Sequence, residues 1–343
     1  MNYEVTLIIP VYNELTSLDN LCKKINKVFS HIPVKYIFVD DGSEDGSSNW
    51  LTENVKNIFT KKNFEIIKLK KNFGKGYAVK EGIKKIEGEY TMFIDSDLEY
   101  QPSDLLEMYN VINENNEIDV LYGSRNLGSK TQLRRYFLNS IAVKLNTWIY
   151  NFLFNQSLTD LHTGSKIIKS SLLKNLNIST NGFGLEIVMS SEIAKRNINI
   201  FEYGISYYER SFEQGKKITY IDGLKSYYFF FKERFIENDL ATQISLLYSF
   251  LFMTYTGTYF GMGSGKILVV ILFMIIGLMI ALNRKFIPLS IVFLFIYIGS
   301  LFSKGNGKIY TVIIFFFIGL YLSKKFSRYF STFKTNFFLK NFF

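Results

Sequence analysis

The sequence predicts an α/β domain built on a doubly wound, Rossmann-like, mostly parallel sheet, followed by a helical transmembrane region. Three observations predict it. Short apolar runs alternate with helix-period segments from residue 4 to residue 122, the pattern of strands feeding crossover helices. Each run ends in polar or glycine-rich residues, so candidate site residues converge on the edge where such sheets bind ligands. Composition then changes sharply near Asp239, beyond which come apolar blocks with few acids.

The elements follow in order. Glu4 to Pro10 reads as a short strand stopped by Pro10, and Leu15 to Ser30 fits a helix of 3.6 period. Lys35 to Val39 is a second strand, running into Asp40-Asp41-Gly42-Ser43, with a helix following to about Phe59. Phe64 to Leu69 is a third, and Asn72-Phe73-Gly74-Lys75-Gly76 opens a helix to about Ile86. Tyr90 to Ile94 is the fourth. Ser103 is placed to cap a helix whose Leu105, Leu106, Tyr109 and Ile112 share a face. Ile118 to Tyr122 is the fifth, leading to Gly123-Ser124-Arg125. From about Leu133 to Phe154 runs an aromatic-rich helix with Arg134-Arg135 at its start, placed to pack on the sheet or to lie near a membrane.

Composition narrows the function. Net charge is +10 over 343 residues. The basic residues outside the globular part lie between and after apolar blocks, which fits a membrane surface; no arginine-rich stripe with interleaved aromatics points to nucleic acid. Cys22 is the single cysteine and sits in a core-like helix pattern, so disulfides and cysteine-cluster metal sites are excluded. His31 and His162 are the only histidines, too few for a histidine metal site. The chain shows no internal repeat, and its start reads as a strand rather than a signal peptide.

The chemistry concentrates in Tyr90–Pro102, YTMFIDSDLEYQP. A buried strand there delivers Asp95 and Asp97, with Glu99 two residues on, an arrangement suited to holding Mg²⁺ or Mn²⁺ on a substrate's phosphates. Asp40 and Asp41 can accept from the N–H groups of a nucleotide base or from ribose hydroxyls. Lys75, between two glycines, can meet a phosphate. Asp160 and Glu186 are further carboxylates in polar motifs.

Together PVYNE (10–14), VDDGSEDGS (39–47), IDSDLEYQP (94–102) and YGSR (122–125) resemble the GT-A-fold inverting glycosyltransferases that use nucleotide sugars. LTDLHTGSKIIKSSLL (158–173), NGFGLEIVMSSEIAKRN (181–197) and ISYYERSFEQGKKITYIDG (205–223) are similar to dolichyl-phosphate mannosyltransferase and its bacterial and archaeal polyprenyl-phosphate relatives. The resemblance implies a nucleotide-sugar donor and a polyprenyl phosphate acceptor. It places Pro10, Tyr12 and Glu14 at the nucleotide, with Asp40 or Asp41 at the base. It puts Asp95 and Asp97 on the metal, and Arg210 with Arg125 near the acceptor phosphate. The dolichyl-phosphate branch often has glutamine where this chain has Glu99, which can add a third carboxylate to the metal. A lipid phosphate has a second pKa of about 6 and is already largely a dianion at neutral pH. Asp160 is therefore expected to orient groups rather than act as a base. A saccharide acceptor, which would need Asp160 or Glu186 as a base, and a non-catalytic scaffold are the alternatives.

The expected organisation is a catalytic domain over 1–222, an interfacial helix at 223–239, about four transmembrane helices in 240–323 and a basic tail, 324–343. The apolar blocks are Ile244–Phe260, Ile267–Leu282, Ile287–Phe302 and Ile309–Leu322. An even number of spans returns the tail to the cytoplasmic side, where the catalytic domain is also expected.

Overall fold

The computed structural model describes residues 3–236, apart from 60–62, 116, 129, 183, 212 and 214–219. The chain divides after Arg234, and the fold below is that of the first unit. The expected spans and basic tail lie outside the described residues, as do Gln214-Gly215-Lys216-Lys217. Among the described residues no helix is long and apolar enough to cross a membrane.

The elements are β1 (Val5–Val11), α1 (Leu15–Val28), β2 (Val34–Asp40), α2 (Ser47–Ile58), β3 (Phe64–Lys68), α3 (Lys75–Ile83), β4 (Tyr90–Phe93), α4 (Pro102–Glu114) and β5 (Val120–Ser124). There follow β6 (Gln132–Leu133), α5 (Phe137–Phe154), β7 (Lys166–Lys169), α6 (Ser170–Leu173), α7 (Leu185–Lys195), β8 (Phe201–Gly204), β9 (Tyr207–Tyr208) and α8 (Tyr220–Phe231). A π-helical turn, Lys232–Ile236, follows α8.

Seven strands form one sheet in the order β3-β2-β1-β4-β7-β5-β8. Every neighbouring pair is parallel except the two made by β7, which runs antiparallel between β4 and β5. β6 and β9 form a separate two-stranded pair. The sheet is covered on both faces, which is why its central strands read as continuous apolar runs. Alternation along β1 divides the core in two. Leu7 and Ile9 join the helix α1 residues Leu18, Leu21 and Ile25 and the α4 residues Leu105 and Met108. Ile8 joins Val79, Tyr150 and Ile187 on the other face. Cys22 is fully buried in the first cluster, and burial together with nearby Asp19 pushes its thiol up to about 12.

Three expectations are corrected. β1 does not stop at Pro10 but continues to Val11, because it stays paired with β2 through Val11–Asp40, while its pairing with β4 ends at Ile8–Phe93. Pro10 therefore lies where the β4 side of the ladder is already open, a place that tolerates a missing N–H. Ser103 does not cap α4. The cap is Gln101, without a side-chain hydrogen bond, and Pro102 occupies the first turn, where the lost donor has no helical partner anyway. β4 and β5 are not adjacent in the sheet: β7, inside TGSKIIK, lies between them. The aromatic-rich helix begins at Phe137, four residues later than its pattern suggests, because Gln132–Leu133 pairs with β9.

Candidate active site

The C-terminal ends of β1, β2 and β4 meet three loops that lace one another together. Asn13 N donates to Ser43 Oγ (2.9 Å) and Glu14 N to Ser47 Oγ (3.0 Å). Glu44 N donates to Asn13 Oδ1 (2.8 Å), and Ser17 Oγ to the carbonyl of Ser96 (2.7 Å). Asn13 and Leu98 hold positive φ, 50° and 62°, in the two loops that carry Glu14 and Asp97. Leucine rarely occupies that region, and such strain persists only where surrounding contacts over-determine it.

Asp40 and Asp41 are both buried. Asp40 accepts from Ser43 N (3.1 Å). Asp41 takes Phe73 N and Gly74 N, one on each oxygen, at 2.8 Å. Burial raises its pKa despite those two donors. Asp41 thereby fixes the turn that opens α3. Gly74 has φ 99° there, and a Cβ would fall 2.5 Å from Asn181 O, so the turn admits only glycine.

That turn delivers Lys75. Its ammonium lies 2.8 Å from Asp95 and 2.9 Å from Glu186. Burial works against the charge, but attraction to the two carboxylates outweighs it and raises the pKa. Pro10, Phe93, Lys166 and Met189 complete a small cavity around this triad. Gly164 lies directly against the Asp95 carboxylate, where any Cβ would collide with it. Lys166 donates to Thr163 O and lies over the Tyr122 ring, 4.4 Å from its centroid; burial lowers its pKa to about 8.

Asp97 lies in a second cluster. Arg210 grips Glu14 with both terminal nitrogens (2.8 and 3.1 Å) and reaches Asp97 Oδ2 at 3.4 Å. Glu99 accepts from Arg210 N (2.9 Å) and from Tyr207 Oη (2.6 Å). One guanidinium thus serves three carboxylates. Burial, then the charges of Asp95 and Glu99, push Asp97 up to about 7, with Arg210 pulling only part of the way back.

Arg125 and Asp160 form a third element. Arg125 donates from Nε (2.6 Å), Nη2 (2.8 Å) and its backbone N (3.0 Å) to one fully buried carboxylate. Burial would raise the Asp160 pKa, but Arg125 overrides it and lowers it. Glu202 holds the Asp160 loop by accepting from the N–H groups of Thr159 and Asp160. Arg125 also lies 5.0 Å from the Tyr207 ring. Tyr207 therefore joins the Arg125 pair to the Glu99–Arg210 cluster.

The structure thus brings together Glu14, Asp97, Glu99 and Arg210, and separately Lys75 with Asp95 and Glu186. Tyr12 sits half-buried beside Asn13. Sequence reading missed Tyr207, Glu202, His162 and Lys166 as parts of these networks. All four lie in or next to motifs that were noticed, but only the fold shows what they face. Burial lowers the His162 pKa to about 4, and its Nε2 lies 3.3 Å from Asn146 Nδ2.

Among the described residues, no group of three or more His, Cys, Asp or Glu side chains is arranged as a metal cage. The donor set still fits a divalent cation at Asp97. Its carboxylate faces two like charges and carries a raised pKa, and added positive charge is what it lacks.

An α/β sheet with carboxylates and cations gathered at its strand ends is the arrangement expected of a GT-A glycosyltransferase. Residues 6–176 match Glycosyl transferase family 2; the chain carries a domain of that family and is a glycosyltransferase. It is 28% identical over 223 residues to dolichyl-phosphate beta-glucosyltransferase of Dictyostelium discoideum, with 61% of this chain and 67% of that protein covered. It is 27% identical to dodecaprenyl-phosphate galacturonate synthase of Rhizobium johnstonii, covering 51% of this chain but only 50% of that protein. The fold is shared with glucosyl-3-phosphoglycerate synthase from Mycobacterium tuberculosis, solved with Mn²⁺, uridine-diphosphate-glucose and glycerol 3-phosphate. That similarity has a TM-score of 0.50 at 14% identity and covers 68% of this chain and 80% of the synthase.

Proposed function

We propose that this glycosyltransferase moves a sugar from a nucleotide-diphosphate sugar to a polyprenyl phosphate, with inversion at the anomeric carbon. One observation carries the reading: a single arginine shared by Glu14, Asp97 and Glu99 at the end of β4, with Asp97 pushed up to about 7. This cluster supports a donor diphosphate bound through Mg²⁺ or Mn²⁺. Asp97 and Asp95 would hold the cation, with Glu99 beside them. When bound, the cation supplies charge stabilisation to the departing nucleotide diphosphate.

The chain's own residues do the rest. Glu14 and Glu99 hold the Arg210 guanidinium at the cluster, where it can meet a phosphate oxygen. Asp160 fixes the Arg125 fork in one orientation, and two oriented cations place an acceptor phosphate in line. Lys75, itself held by Glu186, keeps Asp95 in position. Pro10, Tyr12, Asp40 and Asp41 shape the nucleotide end of the site.

The two carboxylates named as bases for a saccharide acceptor are both engaged. Asp160 is locked on Arg125, and Glu186 is lowered by Lys75 and Lys166 against the effect of burial. Neither is poised to remove a proton from a sugar hydroxyl. A phosphate monoester dianion needs no such base. The relatives named above are polyprenyl-phosphate enzymes by name. Location at a membrane fits such an acceptor, and the apolar blocks between residues 244 and 322 would anchor the chain as several spans with the catalytic domain cytoplasmic.

The test is transfer of labelled sugar by the full chain in detergent or vesicles, with polyprenyl phosphate and either cation. Transfer that needs the cation and disappears in Asp97→Ala supports the reading. Cation-independent transfer, or preference for a free saccharide acceptor, would overturn it.

A further inference from the structure

Strand β9 is short, yet every backbone N–H from Ser206 to Arg210 donates a hydrogen bond, and the bonds run to two sides. Ser206 N donates to Asp104 Oδ2 (2.6 Å). Tyr207 N and Glu209 N donate to the carbonyls of Thr131 and Leu133, at 3.2 and 3.0 Å. Tyr208 N donates to the carbonyl of Glu99 (3.0 Å) and Arg210 N to the Glu99 carboxylate (2.9 Å). The alternation is that of an extended strand. One edge of the segment therefore follows residues 131–133, and the other follows the turn that carries Asp97 and Glu99. The first edge leads to Arg125, because Arg134 donates to the Arg125 carbonyl (2.5 Å). The second is extended by a bridge between Tyr100 and Tyr207.

Tyr207 stands where the two sides meet, and is 7% exposed. Its hydroxyl donates to Glu99 Oε2 at 2.6 Å, on the donor side. Burial raises its pKa, so the hydroxyl keeps the proton that makes this bond. Its ring lies 5.0 Å from the Arg125 guanidinium, on the acceptor side, within the range of cation–π attraction. Asp160 holds that guanidinium along one edge, through Nε and Nη2. Bonds along one edge still allow tilt about it, and a ring against the guanidinium restricts that tilt. Tyr100 packs on the same ring at 5.5 Å, and its Oη accepts from Gly164 N (2.9 Å), the residue set against the Asp95 carboxylate.

We propose that Tyr207 is a positioning residue that couples the two halves of the site, so that a filled donor side tightens binding of the acceptor phosphate. This rests on the donor and acceptor reading above and deepens it. A cation and diphosphate beside Glu99 restrict that carboxylate. The restriction passes through the Tyr207 hydroxyl to the ring, and from the ring to Arg125. Arg125 is then ordered before the acceptor arrives, and the acceptor binds more tightly. Linkage makes the effect reciprocal, so the acceptor tightens the diphosphate by the same factor. The complex with both substrates is thereby favoured over a donor held alone, for which water is the acceptor at hand.

The factor can be measured without turnover. The full chain in detergent is titrated calorimetrically with farnesyl phosphate, a short isoprenyl phosphate. The titration is repeated with Mn²⁺ and uridine, guanosine, cytidine, adenosine or thymidine diphosphate, whichever the wild type takes up. The filled donor side is expected to tighten farnesyl phosphate roughly tenfold in the wild type. Tyr207→Phe keeps the ring against Arg125 and removes the hydroxyl. It should bind farnesyl phosphate alone as the wild type does and lose most of the tightening. Tyr207→Leu removes the ring as well, and should weaken farnesyl phosphate a few-fold even with the donor side empty. The Phe variant decides alone if the Leu variant does not fold. A merely structural Tyr207 would lower the melting temperature or weaken both ligands in the Phe variant while the factor stayed as in the wild type, and that result would overturn the proposal. So would a wild type in which the diphosphate and Mn²⁺ bind but leave farnesyl phosphate affinity unchanged. Failure of the underlying reading looks different: a wild type that takes up none of the diphosphates with Mn²⁺, or no farnesyl phosphate, lacks one of the two sites and overturns the coupling with it.

Discussion

Arg125 and Arg210 are both half-hidden cations at the same sheet edge, yet their surroundings differ in charge balance. Arg125 meets one carboxylate, Asp160, through three hydrogen bonds, and the pair is closed. Arg210 meets three, Glu14, Asp97 and Glu99, at 2.8, 3.4 and 4.0 Å. The closed pair has the charge balance of a structural element; the open cluster has an excess of negative charge. The pKa shifts run the same way: Asp160 is lowered, whereas Asp97 is raised to about 7. A buried excess of one sign is where a ligand of the other sign is worth most. The difference separates a cation held in one orientation by its partner, as placing an acceptor phosphate requires, from the cluster that receives a cation and a diphosphate.

The comparison breaks most sharply on activity. Asp97→Ala is expected to lower sugar transfer by roughly a thousandfold, the scale of removing a charge-stabilising group from a reaction centre. Retention of transfer in a radiolabel assay would show that the open cluster is not the donor site. Asp160→Ala should instead act on stability. It leaves the Arg125 guanidinium buried without its partner, at a cost of about 3–5 kcal/mol. Chemical denaturation measures that loss, and an unchanged midpoint would make the pair dispensable.

Proton linkage sharpens the contrast. The Asp97 pKa is raised in the folded state, so ionising it is unfavourable there. The penalty is absent below the unfolded value near 3.8, grows as pH rises toward 7 and is full above it. Asp97→Asn should therefore melt higher than the wild type at pH 8 and equal to it at pH 3.5. Mn²⁺ should raise the wild-type melting temperature at pH 8 and leave that of Asp97→Asn nearly unchanged. A variant that melts lower at pH 8 would mean that Arg210 already balances the cluster.

His162 gives a smaller effect of the opposite sense. Its folded pKa is depressed from 6.5 to about 4, so its contribution is intact above 6.5 and lost as pH falls through that window. His162→Gln should flatten the acid limb of the stability curve between pH 6.5 and 4. The least disruptive change is Glu99→Gln. It keeps an oxygen acceptor for Arg210 N, while its amide nitrogen donates to Tyr207 Oη where the carboxylate accepted, and it removes one of the three charges. Mn²⁺ affinity measured by calorimetry should fall a few-fold, and a rise would show that Glu99 crowds the cation.

The sequence by itself determined the doubly wound α/β class and the position of most strands, because two-face burial writes itself as apolar runs with polar ends. It also marked Asp95, Asp97, Glu99, Asp160, Glu186, Arg125 and Arg210 as the residues that matter, since charged groups at strand ends have few other uses. The sequence did not reveal which of them are partners. Glu14 and Arg210 lie 196 positions apart, and Lys75 and Glu186 lie 111 apart. Such pairs are made by the stacking order of strands, and that order turned on β7, a four-residue antiparallel strand too short to carry a period of its own. Whether a carboxylate is a closed counter-ion or an open ligand depends on how many cations the fold brings within a few ångströms. Only the tertiary structure decided that Asp160 is closed and Asp97 open.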